Sequence, residues 1–499
     1  MVVISRASKL SLPNPSLPSS PPQITSALYE PNSLSLALMR SDSSISLYSS
    51  ISLFTLSSLP STPQVLIPSP SYSFTFLLLN HTPNPNPSPR VAFIAVGPHR
   101  SEPKLVLRLY VLKRNNFYGK AQVFCKQKGV SFDEKLGVLL DITHGVGLKL
   151  VGSVNFFAMH SLSSSKIWVF GVMLMDGDGD DGVRVNLMRC AVIECCKPVW
   201  SLSLSFGFMI LGEDNGVRVL NLRSLVKGKV KKIKNSSLPN GIIGDYGFDG
   251  PTERIACNGY LDEKIDKHSV SVKQRSVKYK QDSDEGGACF LAFRMKEVEG
   301  LKSTKMPLMS LKAISIQAVS LKKFLILDSS GNLHMLHLSS PVAGSNIIGH
   351  IRQLPHVMNV QKLAVHPDIS LRILVDALGT QTIWITDGYH SVNVMVASDM
   401  DAADNENGRN ESEENLTQCS VIEAIFVGEK IQDLVPLAAN GLLILGQGHQ
   451  SVNYTTDTSF NCCYVGSFYR AVEFPVQENC ELTVFACLFE MRLKGNTDC

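Results

Sequence analysis

A chain of 499 residues with 44% hydrophobic residues can bury a sizeable core, and its 18% of charged residues falls below the usual quarter. The net charge of +3 is close to neutral for that length, which excludes a global electrostatic attraction to nucleic acid or membrane and leaves only local ones. No run approaches the roughly 18 apolar residues of a membrane-spanning helix; Phe74–Leu79, FTFLLL, has the length of a strand.

Met1–Thr25 is rich in Ser and Pro, with Arg6 and Lys9 its only charges. Prolines at 13, 15, 18, 21 and 22 oppose a targeting helix, and without an apolar segment this is not a secretory signal. Residues 1–23 are expected to be a disordered leader. From Ile24 a strand texture begins, with Thr25–Tyr29, Ser33–Met39 and Ser44–Ser50, then Ile51–Leu56 or Gln64–Ile67 as a fourth strand. Tyr72–Leu79, Val91–Val96 and Leu105–Leu112 follow; LVLRLYVL alternates as a half-buried strand does. Ala121–Phe124, Val138–Ile142 and Leu148–Val151 continue the texture. Phe156–His160 and Lys166–Met173 form a hairpin with Trp168 on its second strand.

The clearest stretch is Cys196–Leu222, CKPVWSLSLSFGFMILGEDNGVRVLNL. Val199–Leu204, Phe206–Leu211 and Val217–Leu222 read as three strands, the last two joined through Asn215-Gly216, a pair suited to tight turns with positive φ. Residues 227–306 then lack a sustained period and are expected to be a basic, disordered insertion, with Phe290–Arg294 a strand within or after it. The pattern resumes with Ala313–Val319, Phe324–Asp328 and Leu333–Leu338, and continues through Leu363–His366, Arg372–Val375, Gln381–Thr386 and Val392–Val396. Residues 399–418 read as an acidic loop. Ala424–Val427, Ile431–Pro436 and Leu442–Leu445 end the pattern, and residues 449–499 read as a poorly patterned tail.

Sheets of three or four short antiparallel strands, repeated along the chain, give an all-β fold, a β-propeller of six or seven blades with long disordered insertions, spanning residues 24–448. Aligning the outer hairpin strands on Tyr48, Tyr110, Trp168, Val219, Met335 and Trp384 gives gaps of 62, 58, 51, 116 and 49 residues. A blade takes about 40–50 residues, so the gap of 116 holds one blade with the basic insertion or a second blade within it. Lys362–Asp387, with His366-Pro367-Asp368 after its first strand and Ile383-Trp384-Ile385 near its end, resembles a WD-repeat blade, and Leu211–Leu222 is similar. Gly349-His350 stands where the family carries its Gly-His pair; the terminal Trp-Asp is not intact. The resemblance implies a fold that presents loops to other proteins.

The motifs that carry chemistry are weak. Twelve cysteines include the adjacent pairs Cys195-Cys196 and Cys462-Cys463 but no C-x-x-C, which points to reduced, mostly buried thiols rather than a zinc site. Asp176–Gly182, DGDGDDG, fails the calcium-loop test, with Asp181 where Gly is needed and Leu187 where Glu is needed. His366-Pro367-Asp368 lies between strand-like flanks and reads as a turn. His144, His160, His334 and His337 are scattered and read as turn or surface residues. No phosphate loop, dinucleotide fingerprint or nucleophile elbow appears. No catalytic, cofactor or metal residue is therefore assigned.

The strongest local feature is basic: Arg223, Lys227, Lys229, Lys231, Lys232 and Lys234 occur with no acidic residue among them. Lys264, Lys267, Lys273, Arg275, Lys278 and Lys280 continue it. The run suits a nuclear-localisation or polyanion contact. The sequence is thus read as a non-enzymatic scaffold binding proteins through propeller loops, in the nucleus or cytoplasm, the nucleus preferred, with no membrane or small-molecule partner. A nucleic-acid-associated nuclear protein using residues 223–280 is the second reading. A substrate receptor of a cullin-RING ubiquitin ligase is the third, since such propellers carry Trp-Asp-x-Arg where this chain has Leu220-Asn221-Leu222-Arg223.

Overall fold

The computed structural model describes residues 2–10, 23–51, 59–80, 90–142, 147–175, 183–227, 277–281, 288–293, 310–339, 347–355, 358–365, 381–399, 417–427, 430–437, 441–447 and 484–491. Among them the strands form seven sheets. In chain order blade 1 holds Ile24–Glu30, Ser35–Arg40, Ile45–Tyr48 and Val65–Ile67. Blade 2 holds Ser73–Leu79, Arg90–Pro98, Leu105–Leu112 and Gly137–Leu140, with Val130–Asp133 outside them. Blade 3 holds Leu148–Gly152, Phe156–Ser161, Lys166–Leu174 and Arg184–Glu194. Blade 4 holds Ser201–Ser205, Phe208–Glu213, Gly216–Asn221 and Cys289–Ala292. Blade 5 holds Ala313–Ala318, Lys323–Asp328, Leu333–Leu338 and Gly349–Gln353. Blade 6 holds Lys362–Val365, Gln381–Thr386, Ser391–Asp399 and Thr417–Phe426.

Blade 7 joins the two ends of the chain. Lys430–Pro436, Gly441–Gln447 and Val484–Met491 supply three strands, and Val2–Leu10 pairs antiparallel with the last of them, from Val2 opposite Met491 to Leu10 opposite Val484. The expected leader and tail thus each contribute a strand. Val2–Leu10 is the outermost strand of that sheet, a position where the sequence need not carry a strong apolar period.

The core is a ring of interfaces between sheets. Each of seven apolar clusters is shared by two successive blades: Phe74 and Phe93 meet Ile45 and Leu47 between blades 2 and 1, and Val435 and Leu443 meet Leu36 and Tyr29 between blades 7 and 1. The other five fill the gaps from blade 2 round to blade 7. Side-chain alternation makes this possible. In Lys323–Asp328, Phe324 and Ile326 enter the cluster with blade 4, while Leu325 and Leu327 enter the one with blade 6. A strand covered on both faces reads as an unbroken apolar run, as FLIL does here. First strands of neighbouring blades touch around most of the ring, so they lie innermost.

Two expectations change, and of the two alternatives left open for the gap of 116 residues one is found. Trp384, aligned as an outer hairpin strand, lies on the second strand of blade 6, because Lys362–Val365 pairs directly with Gln381–Thr386; the expected strand Arg372–Val375 lies outside the described residues. The gap of 116 residues holds a single blade boundary, between blades 4 and 5. Within residues 227–306, Val277–Lys280 pairs parallel with the outer strand of blade 3, and Cys289–Ala292 is the fourth strand of blade 4. Cys289–Ala292 overlaps the strand expected at Phe290–Arg294, whereas Val277–Lys280, four residues among basic neighbours, is too short to show a period.

Candidate interaction faces

The hairpin order fixes two ends of the ring. Turns between first and second and between third and fourth strands lie at one end; turns between second and third strands, and the crossings to the next blade, lie at the other. This second end is interlocked. Asn215 in the turn of blade 4 donates its N–H to Leu311 O (2.6 Å), and its side-chain oxygen accepts from Leu311 N (2.8 Å) on the way into blade 5. Ser329 N donates to Lys312 O (2.8 Å), and Ile431 N, entering blade 7, donates to Tyr389 O (2.9 Å) in the turn of blade 6.

Polar side chains at the interlocked end hold the turns themselves. In blade 5, Asp328 accepts from Ser330 N (2.8 Å), Asn332 N (2.9 Å) and the Asn332 side-chain amide (3.1 Å). His334 Nε2 lies 2.9 Å from the same carboxylate, and Phe293 stacks on the imidazole at 4.2 Å between centroids. Burial would raise the Asp328 carboxyl, but the bonds from His334, Asn332 and Ser330 outweigh it and hold its pKa below the ordinary value. Buried Nδ1 of His334 has no hydrogen-bond partner, so the ring meets the network through Nε2 alone. Gly331 takes φ +81° here, where a Cβ would strike Asn359.

Blade 4 has a different network. Glu213 accepts from Arg218 Nε (2.6 Å) and Gln281 Nε2 (2.8 Å), and Gln281 Oε1 accepts from Lys197 N (2.8 Å). Glu213 and Gln281 are fully buried, and the hydrogen bonds of Gln281 tie this ion pair to two other parts of the chain. Beside it, Trp200 donates its indole N–H to Asp214 (2.9 Å), and Lys312 Nζ lies 4.0 Å from the Trp200 ring centroid.

Seven four-stranded or larger sheets in a ring, closed by both ends of one chain, with an Asp-centred turn network in blade 5, decide the architecture. The fold is a divergent, WD-repeat-like β-propeller. No family profile matches the chain, and no curated protein matches it in sequence. Among solved structures, the WD40 domain of SCAP from fission yeast is similar at a TM-score of 0.36 and 9% identity, over 88% of this chain and 79% of that one. A likeness of that size carries no argument; the sheets do.

The propeller places the sequence candidates as follows. Arg223 is exposed on the short helix Leu222–Lys227, which follows the third strand of blade 4 and is capped by Asn221 Oδ1 accepting from Ser224 N (3.2 Å). Leu222 and Leu225 anchor this helix in the cluster between blades 3 and 4. Lys227 ends it, and Lys229, Lys231, Lys232 and Lys234 lie outside the described residues, as do His144, residues 176–182 and His366-Pro367-Asp368. Lys278 and Lys280 are exposed on the strand docked against blade 3. Gly349-His350 opens the fourth strand of blade 5, where His350 stacks on its cross-strand partner His337 at 5.0 Å.

Two histidine readings are corrected. His334 is buried in the Asp328 network, and His160 is buried in blade 3 with its pKa pushed down to about 4 by burial and by Lys149. The spacing of Asp328, Asn332 and His334 across a turn was the available signal for the first. Among the described residues no group of three or more His, Cys, Asp or Glu side chains is placed to hold a metal, and no helix is long and apolar enough to cross a membrane. Burial pushes the Cys195 thiol up to about 12 and that of Cys190 to about 11, values unsuited to a nucleophilic thiolate.

The open end, opposite the interlocked one, presents large apolar side chains from its turns. Leu34, Val154, Phe206 and Leu321 are exposed in the first turns of blades 1, 3, 4 and 5, and Phe117, Met175 and Ile348 in connections after third strands. Phe206 and Leu34 hold φ of 51° and 50°, a left-handed backbone that Gly or Asn adopts at lower cost.

Proposed function

We propose that this propeller is a non-enzymatic scaffold that binds other proteins through its turn faces. The observation that carries this reading is the row of exposed apolar side chains on the open end of a rigid ring. Turns held out by a fixed framework are the usual carriers of binding, and grouped exposed apolar surface marks contact sites. Glu213, Arg218, Asp328 and His334, buried groups of the kind acid–base chemistry uses, are engaged in holding turns. The test is cross-linking of the tagged full chain in cells, followed by mapping of cross-linked lysines. Cross-links gathered on one turn face support the reading; a chain that recovers no protein above an inert propeller of similar size contradicts it.

A second reading keeps the basic arm as a nucleic-acid contact within a nuclear protein. Exposed Arg223, Lys278 and Lys280 favour it, because both ends of the arm leave the ring with cations outward. Binding to a DNA or RNA probe that weakens steeply with salt and disappears on deleting residues 229–275 supports it. For localisation, replacing Lys229, Lys231, Lys232 and Lys234 by Gln in a fluorescent fusion is expected to move the protein from nucleus to cytoplasm. The ubiquitin-ligase reading has only Arg223 behind it and is not taken further.

A further inference from the structure

We infer that the outer part of blade 3, on the face turned toward blade 2, is a contact for the phosphate backbone of nucleic acid. This rests on the second reading above and adds to the arm a site on the ring itself. Two segments from distant parts of the chain are laid along the outer strand of that blade, Arg184–Glu194. Gln122–Phe124 pairs parallel with its beginning, opposite Arg184 to Asn186, and Val277–Lys280 pairs parallel with its end, opposite Ala191 to Glu194. Between them Gln127 covers the edge: its side chain accepts from Arg189 N (2.6 Å) and donates to Arg189 O (3.0 Å). Packing fixes the faces. Tyr279 and Ile193 enter the cluster with blade 4, whereas Val192, opposite Lys278, packs against the one with blade 2. Lys278 and Lys280 therefore turn toward blade 2. Arg189 turns the same way, since its cross-strand partner Phe170 belongs to that cluster. Its Nη2 donates to Lys128 O (3.5 Å), so the exposed Lys126 and Lys128 stand beside it.

Lys126, Lys128, Arg189, Lys278 and Lys280 thus share one face and follow the strand from Arg189 to Glu194, a rise of about 17 Å. A nucleic-acid strand carries a charge about every 3.4 Å of helix axis, so this line spans several phosphates. Arg189 is at its centre. Burial holds its pKa below the ordinary value, its buried Nε has no hydrogen-bond partner, and among the described residues no carboxylate bonds to it. An anion brought to that guanidinium offsets the cost of burying it. The described carboxylates nearby are already matched by cations. Glu194 stands between Lys166 and Lys280 in the register, Asp141 acts on Lys104, and Asp133 and Glu134 act on Lys120. Two acidic runs outside the described residues adjoin the blade, Asp176–Asp181 between its third and fourth strands and Asp282, Asp284 and Glu285 between Gln281 and blade 4. Their charge subtracts from affinity, which is why the full chain is the protein to measure. The exposed positions of this face carry no large apolar side chain, and Phe124 turns to the other face with Asn186. A bilayer or an acidic peptide needs such anchors; a phosphate backbone does not.

The experiment measures fluorescence anisotropy of a mixed-sequence oligonucleotide, as single strand and as duplex, titrated with the full chain at several salt concentrations. Two variants test the face, Lys126→Glu/Lys128→Glu and Lys278→Glu/Lys280→Glu. Lys322→Glu/Arg352→Glu, on blade 5, is a control with the same change of charge. All six positions are exposed, and each variant is checked by thermal unfolding. Should one test pair fail to fold, the other decides. The expected result is at least tenfold weaker binding by both test variants and parental binding by the control. For the single strand, the slope of log K against log salt is expected to flatten by about 1.4 in each test variant. Parental binding by the test variants, or equal weakening in the control, overturns the site. If deleting residues 229–275 still abolishes binding in that case, the second reading stands without it. A full chain that binds neither probe removes that reading and the site together. Stronger retention on vesicles containing phosphatidylinositol phosphates or on poly-glutamate, lost in the same variants, overturns the nucleic-acid assignment.

Discussion

At the scale of single residues, two positions separate what holds the turns from what the turns present. Asp328 belongs to the first kind. Its carboxyl pKa is lowered in the folded chain, so the unfolded chain binds more protons between the folded value and 3.8. The stability it adds is complete above 3.8 and is lost as pH falls through the folded value. Asp328→Asn is therefore expected to cost about 2 kcal/mol at neutral pH, with a shallower loss than the parent below pH 3.8 in urea titrations; equal acid limbs would contradict the role. Phe206 belongs to the second kind. Asn tolerates the left-handed backbone better, so Phe206→Asn is expected to raise stability by about 1 kcal/mol. A fall in stability would mean that the ring is packed after all.

At the scale of strands and sheets, legibility followed burial and turn chemistry. Blades 1 to 5 could be read through their third strands, because Tyr48, Tyr110, Trp168, Val219 and Met335 sit on strands set off by turns rich in Ser, Asn and Gly. Blade 6 was offset by one strand because Arg372–Val375 has strand composition, and only pairing shows that Gln381–Thr386 meets Lys362–Val365. Val2–Leu10 was hidden for another reason: its partner lies at the far end of the chain, and adjacent prolines gave the region the look of a leader. The candidate face was less legible than the fold. Exposure at Phe206, Leu321 and Ile348 depends on which end of a blade each turn occupies, and apolar letters in the sequence read first as core. Removing residues 2–10 is expected to leave Val484–Met491 as an open edge. Such an edge pairs with other chains, so the truncated protein should unfold at lower urea and elute partly as dimer or aggregate in size exclusion. A monomer of parental stability would show that the strand adds nothing.

At the scale of the molecule, each apolar cluster needs both its neighbouring blades, so the ring is one cooperative body rather than a string of domains. Blade 7 bears most on this, since without Val2–Leu10 against Val484–Met491 the outer edge of that blade is left unpaired. Rigidity of the closed ring is also what lets short turns hold apolar side chains in water at fixed spacing, the property on which the binding proposals depend.

Closure can be measured with one substitution. Ala7 stands opposite Cys487 in the register of blade 7, so Ala7→Cys places a thiol across from one the chain already has. Mild oxidation of the full-length variant, followed by proteolysis and mass spectrometry without reduction, is expected to yield a peptide pair linked through positions 7 and 487, with a raised unfolding midpoint. Absence of that link in folded protein, with position 7 still open to alkylation, would contradict a ring closed by its two ends.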